Sequence, residues 1–258
     1  MRKGALSLTT ASLIAAAFVA AVPVFEPTPA PAEDITVIGE AILATPTTVA
    51  VANAVADTTS DCASTAYALE KWRLSGTHTW SYNPAGAPAT VAPMALTTIQ
   101  RATTNLTGGQ NRCGTRATLA ISQAYSGTNT KTAQISPTAA CTGNDGISVT
   151  SWGALPANTL GYTCVYYKTS TGTVIASDMM LNSTKKWFTG NVPAGCTDSF
   201  DLESVVTHER GHTAGLSHVD QTTQARQTMS PRTLACTTYK RLIGSGDLTG
   251  LQALSTKA

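Results

Sequence analysis

From Thr77 to Tyr82 polar and apolar positions alternate, with aromatics at Trp80 and Tyr82. Period two is that of a strand with one buried face. Leu96, Ile99 and Leu106 then recur at helical spacing, which predicts a helix over 95–106 that Gly108-Gly109 ends. Alternation returns from Thr118 to Tyr125. The turn Asn144-Asp145-Gly146 precedes a strand over Ile147 to Trp152. Leu160 to Tyr167 and Thr173 to Leu181 read as two more strands around the turn Ser170-Thr171-Gly172. A second helix should start at Asp201, which can cap it. Glu203 suits the positive end of its dipole, and Phe200 can staple against Val205. Leu202, Val205 and Val206 give this helix an apolar side. Gly211 in its middle costs about 1 kcal/mol against Ala; it marks either close packing against the strands or an indifferent surface position. A last helical stretch runs from Gly246 to Leu254. Strands with helices in this order place the chain in the α+β class.

The N-terminus has a different pattern. Arg2 and Lys3 precede an apolar run from Ala5 to Val22, and small residues follow, so 1–32 reads as a signal peptide cut after Ala21 or Ala32. No other apolar stretch could span a bilayer, so stable membrane insertion after cleavage is not expected. Residues 33–60 are Thr, Ala and Val with Pro46 and few charges: a spacer or a short propeptide. A single domain should occupy 61–258, and 42% hydrophobic content suffices for its core. Charged residues are only 12%, and the net charge is +2. Without Arg2, Lys3 and Glu26 the balance is 15 basic against 14 acidic, or +1. Lys and Arg do not cluster, so nucleic acid is not an expected partner. Cys62, Cys113, Cys141, Cys164, Cys196 and Cys236 form an even set in an exported chain, hence up to three disulfides with fifteen possible connectivities. Our pairing joins Cys196, before the second helix, to Cys236; Cys141 with Cys164 and Cys62 with Cys113 complete it. No C-x-x-C is present, which argues against a thiolate metal site.

The chemistry concentrates in His208-Glu209-Arg210-Gly211-His212-Thr213-Ala214-Gly215-Leu216-Ser217-His218, or H-E-x-x-H-x-x-G-x-x-H. Residues four apart share a helix face, so His208 and His212 can grip one ion with Glu209 beside it. Gly215 ends the helix by entering the left-handed conformation, and the chain can then return His218 to the same ion. Three neutral imidazoles with an open fourth position are how catalytic zinc is held. Five fixed letters arise by chance in roughly one chain in ten thousand.

This segment resembles the extended zinc motif of the metzincin metallopeptidases, most closely the matrixins in their bacterial secreted form. Phe200-Asp201-Leu202-Glu203-Ser204-Val205 resembles matrixin sequence too, and Met229 in Gln227-Thr228-Met229-Ser230-Pro231 matches the family's Met-turn beneath the metal. The resemblance covers roughly 61–254 and is specific in the motif and the Met-turn. It implies a mixed five-stranded sheet with two long helices in an upper subdomain, and a small irregular lower subdomain with the Met-turn and a C-terminal helix. Some features depart from it. Val219-Asp220 follow His218 where many matrixins carry Ser or Thr, and the stretch from His218 to Met229 is longer than usual. Only His78 remains for the second, structural zinc of some relatives, so one zinc is expected. Calcium has candidates in Asp145, Asp178 and Asp220, but no EF-hand-like spacing assigns a site. Asn111-Arg112-Cys113-Gly114 mimics the latency segment of matrixin prodomains, yet Cys113 reads better as a disulfide partner.

The expected function is that of a secreted, extracellular, monomeric zinc endopeptidase. Zinc lowers the pKa of its bound water towards 7, and Glu209 takes the proton and passes it to the leaving amine. A secreted binding or adhesion module with the same fold and little turnover is the second reading; the presence of Glu209 favours the first. By resemblance, Leu160, Gly161 and Tyr162 begin the sheet edge on which a protein or peptide substrate would add as a strand, and Pro231 and Arg232 wall the specificity pocket. The near-continuous apolar character of 160–165 would equally suit an interior strand.

Overall fold

The computed structural model describes residues 34–45 and 58–256. In chain order they form β1 (Ile35–Ala44), α1 (Thr58–Ala63), β2 (Ala68–Leu69), β3 (Thr77–Tyr82), α2 (Ala95–Thr107), β4 (Ser122–Thr128), β5 (Val149–Gly153), β6 (Thr159–Lys168), β7 (Val174–Asn182), β8 (Trp187–Phe188), β9 (Phe200–Asp201), α3 (Leu202–Ala214), β10 (Leu216–Ser217), β11 (Arg232–Thr233) and α4 (Ser245–Ser255). The signal-peptide reading of 1–32 lies outside the described residues.

The sheet has the order β11-β1-β6-β7-β5-β3-β4. β3, β4, β5 and β7 run parallel to their neighbours in that set, whereas β6 is antiparallel to both β7 and β1. This is the expected mixed α+β architecture with seven strands where five were expected. The two additions have physical reasons for escaping a pattern reading. β11 is two residues long, too short for a period to register. β1 is rich in β-branched residues (Ile35, Thr36, Val37, Ile38 and Ile42), but Gly39-Glu40 in its middle break the period of two, and the stretch around it is Thr, Ala and Val. The segment 33–60, expected as spacer or propeptide, thus contributes a ten-residue strand and the start of α1.

One core lies between the sheet and the two long helices, α2 and α3, which also pack on each other. It contains Trp80 and Trp152 from the sheet, Ile99 from α2, and Leu202, Val205 and Val206 from α3. A second core gathers Leu216, Met229, Leu248 and Leu251 below the sheet, where the chain after α3 is mostly irregular. The three disulfides join Cys62 to Cys113, Cys141 to Cys164 and Cys196 to Cys236, the pairing read from the sequence. Cys141–Cys164 ties the long 130–148 connection to β6, over the sheet face turned away from the helices.

α3 is buried on every side, beyond the single apolar face the sequence suggests. Its polar residues go inside because each meets a partner. Glu203 accepts from Arg101 Nε and Asn105 Nδ2, both at 2.8 Å. Arg210 stacks on Trp80 with its guanidinium carbon 4.0 Å from the ring centroid, and donates to Thr150 Oγ1 at 2.8 Å. Buried polar side chains that each meet a partner favour one placement of the helix, although Arg210 Nε itself has no hydrogen-bond acceptor.

Candidate active site

The site starts from the ends of α3. Asp201 caps it, accepting from Ser204 N at 2.9 Å, and its carboxylate also holds Arg241. Gly215 ends the helix with φ +107, donating its N–H to Gly211 and His212 carbonyls. A side chain there would be strained in conformation and would collide with the Trp72 carbonyl. β10 then leads the chain back to His218.

His208, His212 and His218 meet at their Nε2 atoms, which lie 3.0–3.1 Å apart pairwise. The Nδ1 atoms face outward. His208 Nδ1 is 2.7 Å from the Thr228 carbonyl, and His212 Nδ1 is 3.0 Å from the Leu216 carbonyl. A carbonyl only accepts, so both Nδ1 atoms carry the proton, and both Nε2 atoms present lone pairs to the common centre. Lone pairs converging at this distance need a cation between them. Burial holds His208 and His212 well below the usual imidazole range, and brings His218 down to about 4. All three are thus in the neutral form that ligates metal. A set of three imidazoles with outer carbonyl partners fits zinc. Among the described residues it is the one group of three or more His, Cys, Asp or Glu side chains able to share an ion.

Glu209 is buried beside this cluster, accepting from Thr163 Oγ1 at 2.5 Å and from Ile42 N at 3.2 Å. Burial pushes its carboxyl up to about 8; the two hydrogen bonds oppose that rise, and Glu40 adds to it. Gly161 gives the carboxylate room: a Cβ there would sit 2.8 Å from Glu209 Oε1.

Met229 lies in the second core, and Gly211 touches it: any side chain at 211 would run into the Met229 sulfur. So Gly211 packs closely, against the methionine and not the strands. The turn carrying Met229 hangs on Asp247 of α4, whose carboxylate accepts from Thr228 N, Met229 N and Gly244 N at 2.7, 3.3 and 2.8 Å. Lys240, fully buried, donates to the Ser230 carbonyl, the Ser230 hydroxyl and the Arg232 carbonyl at 2.7–2.8 Å, and so fixes the residues after the turn. Burial draws its pKa down to about 7. Neither Asp247 nor Lys240 was singled out from the sequence, nor was Thr163. Only Asp247 had a signal, an acid in the first turn of the last helix.

Leu160, Gly161 and Tyr162 do not form a free edge. β6 has β7 on one side and β1 on the other, paired from Ile35↔Lys168 to Leu43↔Thr159. The interior alternative describes their place in the sheet, and the neighbour that makes it interior is the chain's own N-terminal segment. Asp145, Asp178 and Asp220 are each already held: Asp145 by Lys131, Asp178 by the Gln134 and Val149 amides, and Asp220 by Thr222 and Thr223. His78 is buried near Arg210, and burial lowers its pKa to about 3.

Residues 159–255, from β6 to the end of α4, match the model of the matrixin family (Peptidase M10). No curated protein matches the chain. The segment from β6 to α4, which supplies the three histidines and Glu209, is thus matrixin-like, and its His208, His212 and His218 cluster resembles the zinc site of the metzincins.

Proposed function

We propose that the protein is a secreted zinc endopeptidase acting on extended segments of proteins or peptides. The observation that carries this reading is the convergence of three neutral imidazoles beside a buried carboxylate. The matrixin match supports a metallopeptidase, and three disulfides suit an extracellular site of action. Among the described residues no helix is long and apolar enough to cross a membrane.

His208, His212 and His218 would hold the metal. Zinc bound there supplies a positive charge that polarises the scissile carbonyl and makes a nearby water easier to deprotonate. The chain's own groups do the rest. Glu209 takes the proton from the attacking water and delivers it to the departing nitrogen. Thr163 holds one carboxylate oxygen of Glu209, and the other accepts from Ile42 N. β6, whose edge β1 covers, forms one lip of the cleft, and β11, fixed by Lys240, forms the other. The Met229 turn keeps His208 in place through the Thr228 carbonyl.

The test is an unbiased peptide library offered to purified protein with and without a chelator. Cleavage that the chelator abolishes and zinc restores is the expected result. Tight zinc binding without any cleavage would favour the binding-module reading.

A further inference from the structure

β1 lies where a substrate should lie. It runs antiparallel along β6, and beyond Ile42 it turns its other edge to β11, with Leu43 N donating to the Pro231 carbonyl at 2.8 Å. The strand is therefore gripped by both lips of the cleft. Its register puts one peptide bond at the centre. Ile42 N donates to Glu209 Oε1 at 3.2 Å, and the Glu40 carboxylate lies 3.5 Å from His218 Nδ1. The residues flanking Ala41 thus touch the Glu209 carboxylate on one side and the third histidine on the other. The Ile42 side chain is fully buried in the core cluster that holds Leu160, Leu202 and Val205.

We infer that β1 is bound as the first substrate of the chain's own centre, and that the Ala41–Ile42 bond is a self-processing site. The inference rests on the peptidase reading and narrows it to bonds followed by a branched aliphatic residue. A strand serving only to complete a sheet has no need to set a backbone N–H on the Glu209 carboxylate. A substrate does, because the amide nitrogen of the broken bond must receive a proton from that group. In the step, the water oxygen bonds to the Ala41 carbonyl carbon and the Ala41–Ile42 C–N bond breaks. The oxygen stays in the new Ala41 carboxylate, and both water protons end on the Ile42 nitrogen, giving an ammonium. Until then β1 occupies the β6 edge against other peptides. As part of the same chain it competes at an effective concentration on the order of millimolar. Afterwards residues up to Ala41 are held by noncovalent contacts alone and can leave.

The full-length protein, wild type and Glu209→Gln, is loaded with zinc and followed by intact mass and N-terminal sequencing. The wild type should yield a chain that begins at Ile42. Glu209→Gln should keep the bond, with equal zinc content and with β1 amides protected from hydrogen exchange. Adding Ile42→Asp to Glu209→Gln places a charge in the apolar pocket and should release β1 protection at least tenfold while α3 stays protected. Should that double variant fail to fold, Ile42→Ala in the wild type should slow the cut about tenfold or more. The inference is overturned if wild type that cuts library peptides leaves Ala41–Ile42 intact or cuts itself elsewhere within 33–60. If zinc-loaded wild type cuts neither itself nor any library peptide, the peptidase reading fails, and the inference with it.

Discussion

α3 and β1 both border the histidine cluster, yet they are fastened by different means. α3 is capped by Asp201, ended by Gly215, flanked by the Cys196–Cys236 bridge and buried with every polar side chain near a partner. The Met229 turn hangs on two hydrogen bonds to the Asp247 carboxylate, which also accepts from Gly244 N at the start of α4. β1 has no disulfide; apart from the buried Ile42 side chain and the contacts of Ile42 N with Glu209 and of Glu40 with His218, its links to the rest are chiefly backbone ladders, with a few exposed contacts such as Asp34 to Ser170. Side-chain networks and covalent ties fix one geometry, whereas a ladder holds any sequence that can extend. The part that must stay within tenths of an ångström is locked, and the part across the cleft is exchangeable.

The most damaging change to the locked half should be Asp247→Ala. It leaves three buried N–H groups without an acceptor, and at about 1–3 kcal/mol each the expected loss is roughly 3–5 kcal/mol. Urea unfolding measures it, and zinc affinity should fall too, because the Thr228 carbonyl that orients His208 sits on the freed turn. A loss under about 1 kcal/mol would mean that the turn is not held as described.

Next comes a matched pair of core truncations. Leu202→Ala in α3 should cost about 2–5 kcal/mol of global stability. Ile42→Ala removes a side chain equally buried, but β1 can detach while the rest remains folded. It should therefore lower the melting temperature less, and show chiefly as faster hydrogen exchange in β1. Equal costs would make β1 an integral strand and erase the difference between the two regions.

The contrast also explains how much could be read in advance. The locked half announces itself, because a metal needs particular residues at particular helical spacing, and capping and turn chemistry are local. His208, His212, His218, Glu209, Gly215 and Met229 therefore stood out before any coordinates, and so did the two long helices and five of the strands. β1 did not. What completes it as a strand is the waiting edge of β6, a partner more than a hundred residues away; its own Ile35, Val37, Ile38 and Ile42 favour a strand, but Gly39-Glu40 interrupt the alternation that would announce one. Thr163 was equally silent, since a hydroxyl on a strand gains meaning only when a helix sets Glu209 opposite it. Gly211 had two readings, close packing against the strands or a surface position; it packs closely, but against the Met229 sulfur, which neither reading named.

A smaller effect should come from Thr163→Val. The shape is kept while Glu209 loses its 2.5 Å hydroxyl partner. Stability should change by less than about 1.5 kcal/mol, whereas kcat/KM on a library-derived peptide should fall about tenfold through misdirection of the carboxylate. An unchanged kcat/KM would show that the hydroxyl does not position Glu209.

Zinc content and peptide cleavage, measured side by side for the wild type and Glu209→Gln, test the centre most directly. The variant alters the proton-carrying group and none of the three imidazoles. The expected result is one zinc per chain in both proteins, with cleavage by the variant reduced about a thousandfold or more. Absence of zinc from the wild type, or near-normal cleavage by Glu209→Gln, would contradict the assignment of this site.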